Sequence, residues 1–527
     1  MERDMPRRLC GLPMLFALAV LAVLAPLASA ATAPVPIALR LERLDPERGL
    51  SVALRTRGDS DGRTTFANED EWADVRGAHR LIRDLRVDDK DGRALSVHQD
   101  ASGWTVRHAP GQALTVRYRI APSGASVLGA EPMAVHRPIV HAGMLHLVGH
   151  TALVLPTSAR GNDTVAFEFD ARAVADDAHF ASSFGPGAHL ATTPIQLATL
   201  RNSLFVGGTI QLSTLDTADG KIGVALSTMA PGFDRSAFDA DVRAVLGGVR
   251  AFYRDSQPWF LIGLHGASGG EDKGIRIGGG TGLNRAFTTY VAADYDLRDR
   301  DERGLLRWLL AHEYSHQWIG QTLRLSIQGD DRKEPRGYWF TEGFTEFFAV
   351  RVLTRAGLFD SAQALDAFNE RILRYNLVKR RGLGADAAGD RFWSDPDAEQ
   401  LLYRRGYLAA WQAELSLRRA SGGRRGLDEV LQTLILKARK QPAYRVDNAA
   451  LIAAITAGMP AGDAAVFRRF VLDGGDSPLR AADFAPCLSG YVQRDGAVLD
   501  GRRFDVAPGT VLQYRRVDGA KADCFKH

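Results

Sequence analysis

Two histidines spaced four residues apart impose the strongest constraint on how this chain can fold. His312 and His316 flank Glu313 in the pattern His-Glu-x-x-His, within a segment that is otherwise apolar. On a helix, residues four apart lie one turn above each other, so both imidazoles can reach one metal ion. Burying these polar groups on an apolar helix would be costly without a ligand to bind. The segment therefore predicts a helix that carries part of a metal site.

Three acidic residues are expected to contribute to this site. Glu313 projects beside the ion, where a general base can take a proton from a water molecule. A catalytic zinc needs three protein ligands, and we expect Glu342 to be the third. Glu342 would begin a helix that follows a strand-like aromatic segment, Tyr338–Phe340. Glu346, one turn later, is expected to accept a hydrogen bond from a ligand histidine. The alternative is that both later acids only favour a helix start.

These residues and their surroundings resemble a known family. His312-Glu313-Tyr314-Ser315-His316, followed by Trp339-Phe340-Thr341-Glu342-Gly343, is similar to the gluzincin metallopeptidases and especially to their glycyl aminopeptidase branch. Twenty-five residues separate His316 from Glu342, which fits the longer gap of that branch. The resemblance covers about residues 205–480. It implies one zinc ion per chain and a peptide or protein substrate.

A third motif agrees with the resemblance. Leu402-Tyr403-Arg404-Arg405-Gly406 resembles the family's Tyr-x-Lys-Gly helix, with Arg405 in place of the lysine. The resemblance implies that the Tyr403 hydroxyl stabilises the tetrahedral intermediate of hydrolysis. The alternative is that Tyr403 is an aromatic core residue.

One segment departs from the family pattern. The family carries a glycine-rich edge strand ending in a glutamate that holds the free amine of the substrate. In the matching segment, Thr281-Gly282-Leu283-Asn284, Leu283 takes the place of that glutamate. We expect a substrate amine to meet an apolar side chain there, although the strand backbone can still bind a peptide. Peptidase is therefore better supported than aminopeptidase, and the choice between exo- and endopeptidase stays open.

The hydrophobic pattern changes along the chain. From about residue 34 to 200, short alternating segments such as 51–55 and 114–120 predict an all-β domain. Helical spacing dominates after Asp301, and the resemblance implies a thermolysin-like gluzincin core. We predict a multidomain α+β fold. Its parts are a signal peptide (1–30), an N-terminal all-β domain (31–205), a gluzincin catalytic α/β domain (206–360), a helical lobe (361–480) and a short β-rich tail (481–527).

Individual elements are predicted from the same periodicities. The predicted strands of the middle region are 259–265 and 287–293, and the predicted helices are 238–253, 305–316, 341–355, 396–419, 427–440, 449–457 and 464–472.

The N-terminus has the pattern of a secretory signal. Arg7 and Arg8 precede an apolar run that ends near Leu27. Ala28-Ser29-Ala30 follows as a cleavage site, and Ala31-Thr32-Ala33 offers a second one. An uncleaved membrane anchor is the alternative, but the run is short and contains Pro26. We expect export to the periplasm or the extracellular space, with no stable membrane insertion after cleavage. The net charge of +4, from 66 basic and 62 acidic residues, indicates no nucleic-acid partner.

The cysteines fit an exported protein. Cys10 would leave with the signal peptide, so the mature chain would keep Cys487 and Cys524. In an oxidising compartment these two are expected to form one disulfide, with two free thiols as the alternative.

Three other readings are weaker. Gly266-Ala267-Ser268-Gly269-Gly270 matches the nucleophile elbow of serine hydrolases, but the residues after it are turn-like rather than helical. A second alternative is a catalytically inactive, zinc-containing binding protein, although Glu313 and Tyr403 would then have no function. A histidine cluster, His136, His141, His146 and His150, has spacings that do not place the rings on one face of a strand, so we expect structural roles.

Overall fold

The computed structural model describes most of the chain between Pro34 and Phe525. The described residues are 34–73, 75–123, 134–141, 143–174, 178–267, 276–327, 333–485, 487–492, 497–499, 502–504, 511–517 and 525. The predicted signal peptide lies outside them.

The first part of the chain is built from β-sheets. In Ala113–Ile120, four buried side chains alternate with less buried ones, as expected of a strand with one face against a core. This strand lies inside an eight-stranded sheet. One apolar cluster includes residues from this sheet and from the four- and five-stranded sheets beside it. The alternating pattern thus predicts the all-β character of this region correctly.

The strands of this region are grouped by sheet. The eight-stranded sheet contains Val35–Asp45, Gly49–Arg57, Ile82–Asp88, Ala94–Leu95, Ala113–Ile120, Thr164–Asp170, His189–Ala191 and Ile195–Gln196. The four-stranded sheet contains Arg63–Ala67, Val97–Asp100, Gly103–Arg107 and Leu155–Pro156. The five-stranded sheet contains Ile139–His141, Met144–Val148, His179–Ser182, Gly185–Pro186 and Leu204–Gly208, and Glu71–Trp72 pairs with Val75–Arg76.

A second five-stranded sheet, here called the central sheet, supports the His-Glu-x-x-His segment. Its spatial order is Gln211–Thr217, Gly220–Ser227, Trp259–Ala267, Ala286–Ala292 and Thr281–Leu283. The three middle strands are parallel, and Trp259–Ala267 and Ala286–Ala292 are buried along their whole length. Such continuous burial is typical of parallel strands, whose two faces are both covered. Thr281–Leu283 is antiparallel and forms one edge of the sheet.

Eight helices of nine or more residues occur among the described residues. They are α1 (Arg235–Tyr253), α2 (Arg300–Ser315), α3 (Gly343–Arg355), α4 (Ser361–Leu377), α5 (Pro396–Ser421), α6 (Leu427–Lys440), α7 (Asn448–Thr456) and α8 (Ala461–Leu472). Shorter helical segments are Ala78–Leu81, Ala134–His136, Gly149–Ala152, Leu197–Arg201, Glu334–Gly337, Tyr338–Thr341, Ala385–Gly389 and Ala481–Phe484. Every predicted helix is present, and the multidomain α+β fold is confirmed. The domain boundaries stay predictions.

Two segments differ from the prediction. The sequence pattern does not predict α4, which begins at a capping box formed by Asp360 and Gln363 and buries Phe368 among other residues. Tyr338–Thr341 is a helical turn and not a strand-like approach. Its aromatic residues Trp339 and Phe340 are buried in the helical core, so tertiary packing overrides their preference for strands.

An apolar cluster joins the N-terminal sheets to the central sheet. It includes Val148, Leu204, Val206, Trp259, Leu261 and Leu283. Beside it, the buried His146 approaches His265 with 3.2 Å between ring nitrogens, and the Nε2 of His146 lies 2.8 Å from the carbonyl of Val135. Burial lowers the pKa of His146 to about 4. This histidine is therefore neutral and packed within the junction.

The C-terminal segment packs against the helical part. In this segment, Leu488–Val492 pairs with Val511–Arg516, and Ala497–Leu499 pairs with Arg502–Phe504. Within the helical part itself, Arg324–Leu325 pairs with Arg445–Val446. The side chain of Asn369 on α4 bonds both the amide and the carbonyl of Tyr514. Cys487 is disulfide-bonded, whereas its predicted partner Cys524 lies outside the described residues. Within the described ranges, no helix is long and apolar enough to cross a membrane.

Candidate active site

Helix α2 brings the two motif histidines together. Asp299 caps the start of this helix, because its carboxylate accepts hydrogen bonds from the amides of Asp301 and Glu302. The buried residues Leu306, Leu309 and Leu310 of α2 belong to the apolar cluster that also contains residues of the central sheet. His312 lies in the last turn and His316 directly after the helix. Their Nε2 atoms are 3.2 Å apart, so the helical spacing places both imidazoles at one point, as predicted.

Glu342 closes the cluster from a second direction. It lies between the turn Tyr338–Thr341 and α3. Its Oε2 is 3.4 Å from His312 Nε2 and 3.5 Å from His316 Nε2. Tetrahedral ligands about 2.0–2.2 Å from a zinc ion lie about 3.3–3.6 Å from each other. The three donor atoms therefore fit zinc, and they are the one group of potential metal ligands found among the described residues.

The electrostatics of this cluster favour a bound cation. Burial disfavours the charged forms, but Glu342 and Glu313 together raise the pKa of His316 to about 9. Burial likewise disfavours a charged Glu342, yet the two histidines hold its pKa well below its usual range. Without a metal, the carboxylates thus draw a proton into the cluster. A divalent cation can take the place of that proton.

The outer nitrogens of the ligand histidines have different surroundings. His316 Nδ1 lies 3.2 Å from the carbonyl of Ile319. His312 Nδ1 is buried and has no hydrogen-bond partner among the described residues. Glu346 does not fill the role expected of it, because its carboxylate pairs with Arg404 of α5 and Arg371 of α4. Those partners come from helices remote in sequence.

Glu313 lies against the edge strand of the central sheet. It is only 7% exposed, and burial raises its pKa above the usual range. A Cβ added at Gly280 would lie 2.9 Å from Glu313 Oε1, and one added at Gly282 would lie 3.2 Å from Oε2. The amide of Gly282 also donates to this carboxylate. The two glycines therefore provide the space that the carboxylate occupies.

The other residues of the edge strand face elsewhere. The side chain of Leu283 is completely buried in the junction cluster, and its carbonyl accepts hydrogen bonds from Gln317 and Gln321, each at 2.9 Å. Thr281, two residues earlier, is also buried. The expectation that a substrate amine would meet the Leu283 side chain is therefore wrong, because strand alternation turns Gly282 towards Glu313 instead.

Asn284 and Gln317 are positioned near the same edge. Asn284 begins the turn after the strand, and its amide bonds the carbonyl of Asn202. The side chain of Gln317 bridges this turn, since it donates to Leu283 and accepts from the amide of Arg285. The sequence prediction missed Gln317, although it directly follows His316 in the motif.

Tyr403 reaches the cluster from α5. Burial raises its pKa well above the usual range, and the negative charges of Glu342, Glu399 and Glu313 add to this effect. Its ring stacks on Phe392 at 6.3 Å. No hydrogen bond to its hydroxyl is found among the described residues, and the side chain is partly exposed. The side chain is thus within electrostatic reach of Glu342 and Glu313 and is partly exposed.

Two further sequence candidates lie away from this geometry. Arg405 is fully buried and donates to the carbonyl of Arg381. Ser268, the nucleophile of the serine-hydrolase alternative, lies outside the described residues.

The segment that carries the ligand cluster matches a known family. Residues 306–388, from α2 to the segment before α5, match the model of the M61 glycyl aminopeptidase family. This segment, which contains the three candidate ligands, is similar to the glycyl aminopeptidase-like metallopeptidases. The chain is therefore an enzyme of the metallopeptidase class. No curated protein matched the chain at a significant level.

Solved structures share the fold of this metallopeptidase. An aminopeptidase N family protein from Idiomarina loihiensis aligns with a TM-score of 0.70 and 16% identity, over 87% of this chain and 79% of that chain. An M1 zinc metallopeptidase from Deinococcus radiodurans aligns with a TM-score of 0.51 and 16% identity, over 84% of this chain and 94% of that chain. A glutamate-to-alanine mutant of the Deinococcus enzyme, bound to a Tyr-Ser-Ala substrate, aligns equally well.

Zinc analysis tests the ligand assignment. We expect about one zinc ion per chain in the purified protein, and loss of that zinc in His312→Ala and in His316→Ala, because either change leaves only two ligands. Elemental analysis after dialysis measures the content. His98→Ala removes a histidine whose side chain is 78% exposed, and this control should keep its zinc. Full occupancy in either ligand variant would refute the assignment.

Proposed function

We propose that this metallopeptidase hydrolyses peptide bonds with one zinc ion held by His312, His316 and Glu342. The observation that carries the proposal is the convergence of these three donor atoms, 3.2–3.5 Å apart, beside a buried carboxylate. When bound, zinc supplies a Lewis acid that polarises a carbonyl group and lowers the pKa of water. The likeness to M1 zinc metallopeptidases supports the fold in which such a site works.

We assign the proton transfers to Glu313. Its carboxylate adjoins the ligand cluster without belonging to it, and the Gly282 amide orients it. In the proposed reaction, Glu313 accepts a proton from the attacking water and then delivers it to the leaving amine. The low exposure of the carboxylate keeps bulk water from competing for that proton.

We assign stabilisation of the oxyanion to Tyr403. Its hydroxyl has no partner among the described residues, so it is available to donate a hydrogen bond to the substrate. The raised pKa keeps this hydroxyl protonated near neutral pH. A donor held in place before reaction stabilises the charge that develops on the former carbonyl oxygen.

We propose that the substrate is a peptide extended along the edge strand Thr281–Leu283. This edge passes Glu313, and extended peptides commonly bind beside an exposed sheet edge. The peptide in the Deinococcus structure supports this substrate class. On the face of the strand that meets Glu313, Gly280 and Gly282 offer no acid for a substrate amine. We therefore propose that a free N-terminus is not the main recognition element.

Loss of the base or of the hydroxyl should stop turnover but leave the metal in place. Glu313→Gln should keep zinc and lower kcat at least about 100-fold, because an amide cannot accept the proton. Tyr403→Phe should keep zinc and lower kcat about 100- to 1,000-fold, since an oxyanion donor is lost. Peptide hydrolysis assays and metal analysis measure both. Tyr407→Phe, one turn later and fully buried, is the matched control.

Tyr407→Phe should retain nearly normal kcat. Near-normal turnover of Glu313→Gln or Tyr403→Phe would refute the role of the residue concerned. An active wild-type enzyme that keeps its rate after zinc removal would contradict the zinc-dependent mechanism.

Peptides with blocked and with free N-termini test whether the enzyme recognises the substrate amine. We expect acetylated peptides and longer peptides to be cleaved with a kcat/KM at least equal to that of matched free peptides, and amino-acid amides to be cleaved poorly. The reason is that no charge-assisted bond to the amine is available on the edge strand. Mass spectrometry of paired peptides measures the ratio. Removal of single residues from free N-termini only would contradict the proposal.

We propose that the mature enzyme is exported to the periplasm or extracellular space. The apolar N-terminal segment after Arg8 and the disulfide at Cys487 support this location. Mass analysis of protein recovered from the exported fraction should show a start at Ala31 or Pro34 and a Cys487–Cys524 bond. An intact N-terminus with free thiols would contradict it.

A further inference from the structure

Helices α3 and α5 are in backbone contact beside the active site. A Cβ added at Gly343 would overlap the Cα of Gly406 and lie 2.9 Å from the carbonyl oxygen of Tyr403. A Cβ added at Gly406 would overlap the carbonyl of Trp339. Only glycine permits such an approach. The residue after the proposed ligand Glu342 therefore touches the backbone of the proposed oxyanion donor.

An ion pair joins the same two helices one turn further on. Glu346 is 1% exposed, and its carboxylate accepts a hydrogen bond from the guanidinium of Arg404. Another nitrogen of Arg404 donates to Gln400 Oε1 at 3.1 Å. The guanidinium of Arg404 is therefore held both across the helix interface and along its own helix.

The carboxylate of Glu346 also connects to the helix that carries the histidines. Arg371 of α4 approaches Glu346 Oε2 with its Nε at 3.4 Å. The same guanidinium lies 5.0 Å from the ring centre of Trp308, whose ring is 5.3 Å from that of His312. Glu346 thus lies at a point where α2, α3, α4 and α5 are linked.

We propose that Arg404, held by Glu346, is a positioning residue for Tyr403. This inference rests on the proposed oxyanion role of Tyr403. Successive residues of a helix point about 100° apart, so fixing Arg404 fixes the rotation of α5 and with it the direction of the neighbouring Tyr403. A displacement of about 1 Å at a reacting group can cost about 100-fold in rate. The pair therefore controls how well the hydroxyl meets the oxyanion.

A second buried ion pair of the same helices supplies a matched control. Arg351 of α3 lies 2.7 Å from Glu414 of α5, and their side chains are 5% and 2% exposed. Like the first pair it crosses the α3–α5 interface, but it lies further along both helices, away from the ligand cluster. Its loss should weaken the interface without turning Tyr403.

The test is a double-mutant cycle with Tyr403. We expect Arg404→Gln to lower kcat about 10- to 100-fold, with zinc retained and KM within about twofold, because a transition-state contact is misaligned. In the Tyr403→Phe background, Arg404→Gln should change kcat less than about threefold, since no hydroxyl remains to be positioned. Glu346→Gln, which preserves shape, should reproduce both results. Arg404→Lys should restore part of the rate.

The controls separate positioning from stability. Arg351→Gln and Glu414→Gln should lower the unfolding temperature, as loss of a buried ion-pair partner does, and keep kcat within about threefold. An equal loss of kcat from Arg404→Gln with and without the Tyr403 hydroxyl would overturn the inference. The same conclusion follows if Arg404→Gln does not fold and Glu346→Gln keeps normal kcat. A normal rate for Tyr403→Phe would overturn both this inference and the proposed role of Tyr403.

Discussion

The placement of two imidazoles and one carboxylate in a desolvated cluster is the constraint on which the rest of the site depends. Such groups are costly to bury unless a cation or protons compensate their charge and lone pairs. His312 and His316 come from one helix, whereas Glu342 comes from another. Their atoms converge only if α2 and α3 keep a fixed separation. Much of the surrounding structure holds these two helices and a third, α5, in fixed positions relative to one another.

Two different packing contacts fix these relative positions. On one side, α2 lies against the central sheet, where a Cβ added at Gly280 or Gly282 would lie 2.9 or 3.2 Å from the nearer carboxylate oxygen of Glu313. On the other side, the contact of Gly343 with Gly406 brings the backbones of α3 and α5 together. In both places glycine allows a close approach beside a residue to which we assign a role in the proposed mechanism. The contact of Gly343 with Gly406 is stiff, because an added side chain there would overlap backbone atoms, which cannot change rotamer to relieve the overlap.

Local periodicity explains which parts of this arrangement are predictable from sequence. The spacing of His312 and His316 and the start of α5 after Asp395 depend on contacts within a few residues. The partners of Glu346 depend on Arg371 and Arg404, which lie on other helices, so local spacing cannot identify them. The orientation of Leu283 is likewise decided by the apolar junction with the N-terminal sheets. The aromatic turn at Tyr338–Thr341 shows the same limit, because burial outweighs strand preference.

The buried charges between α3 and α5 need an explanation other than stability. Replacement of a buried ion pair by apolar residues of similar size is often neutral or stabilising. An apolar contact, however, is not directional and tolerates small rotations of one helix against the other. A guanidinium bonded to a carboxylate has preferred angles as well as distances. The pair closest to Tyr403, Glu346 with Arg404, can therefore supply angular precision where the chemistry needs it, and the glycine contact beside it supplies the distance.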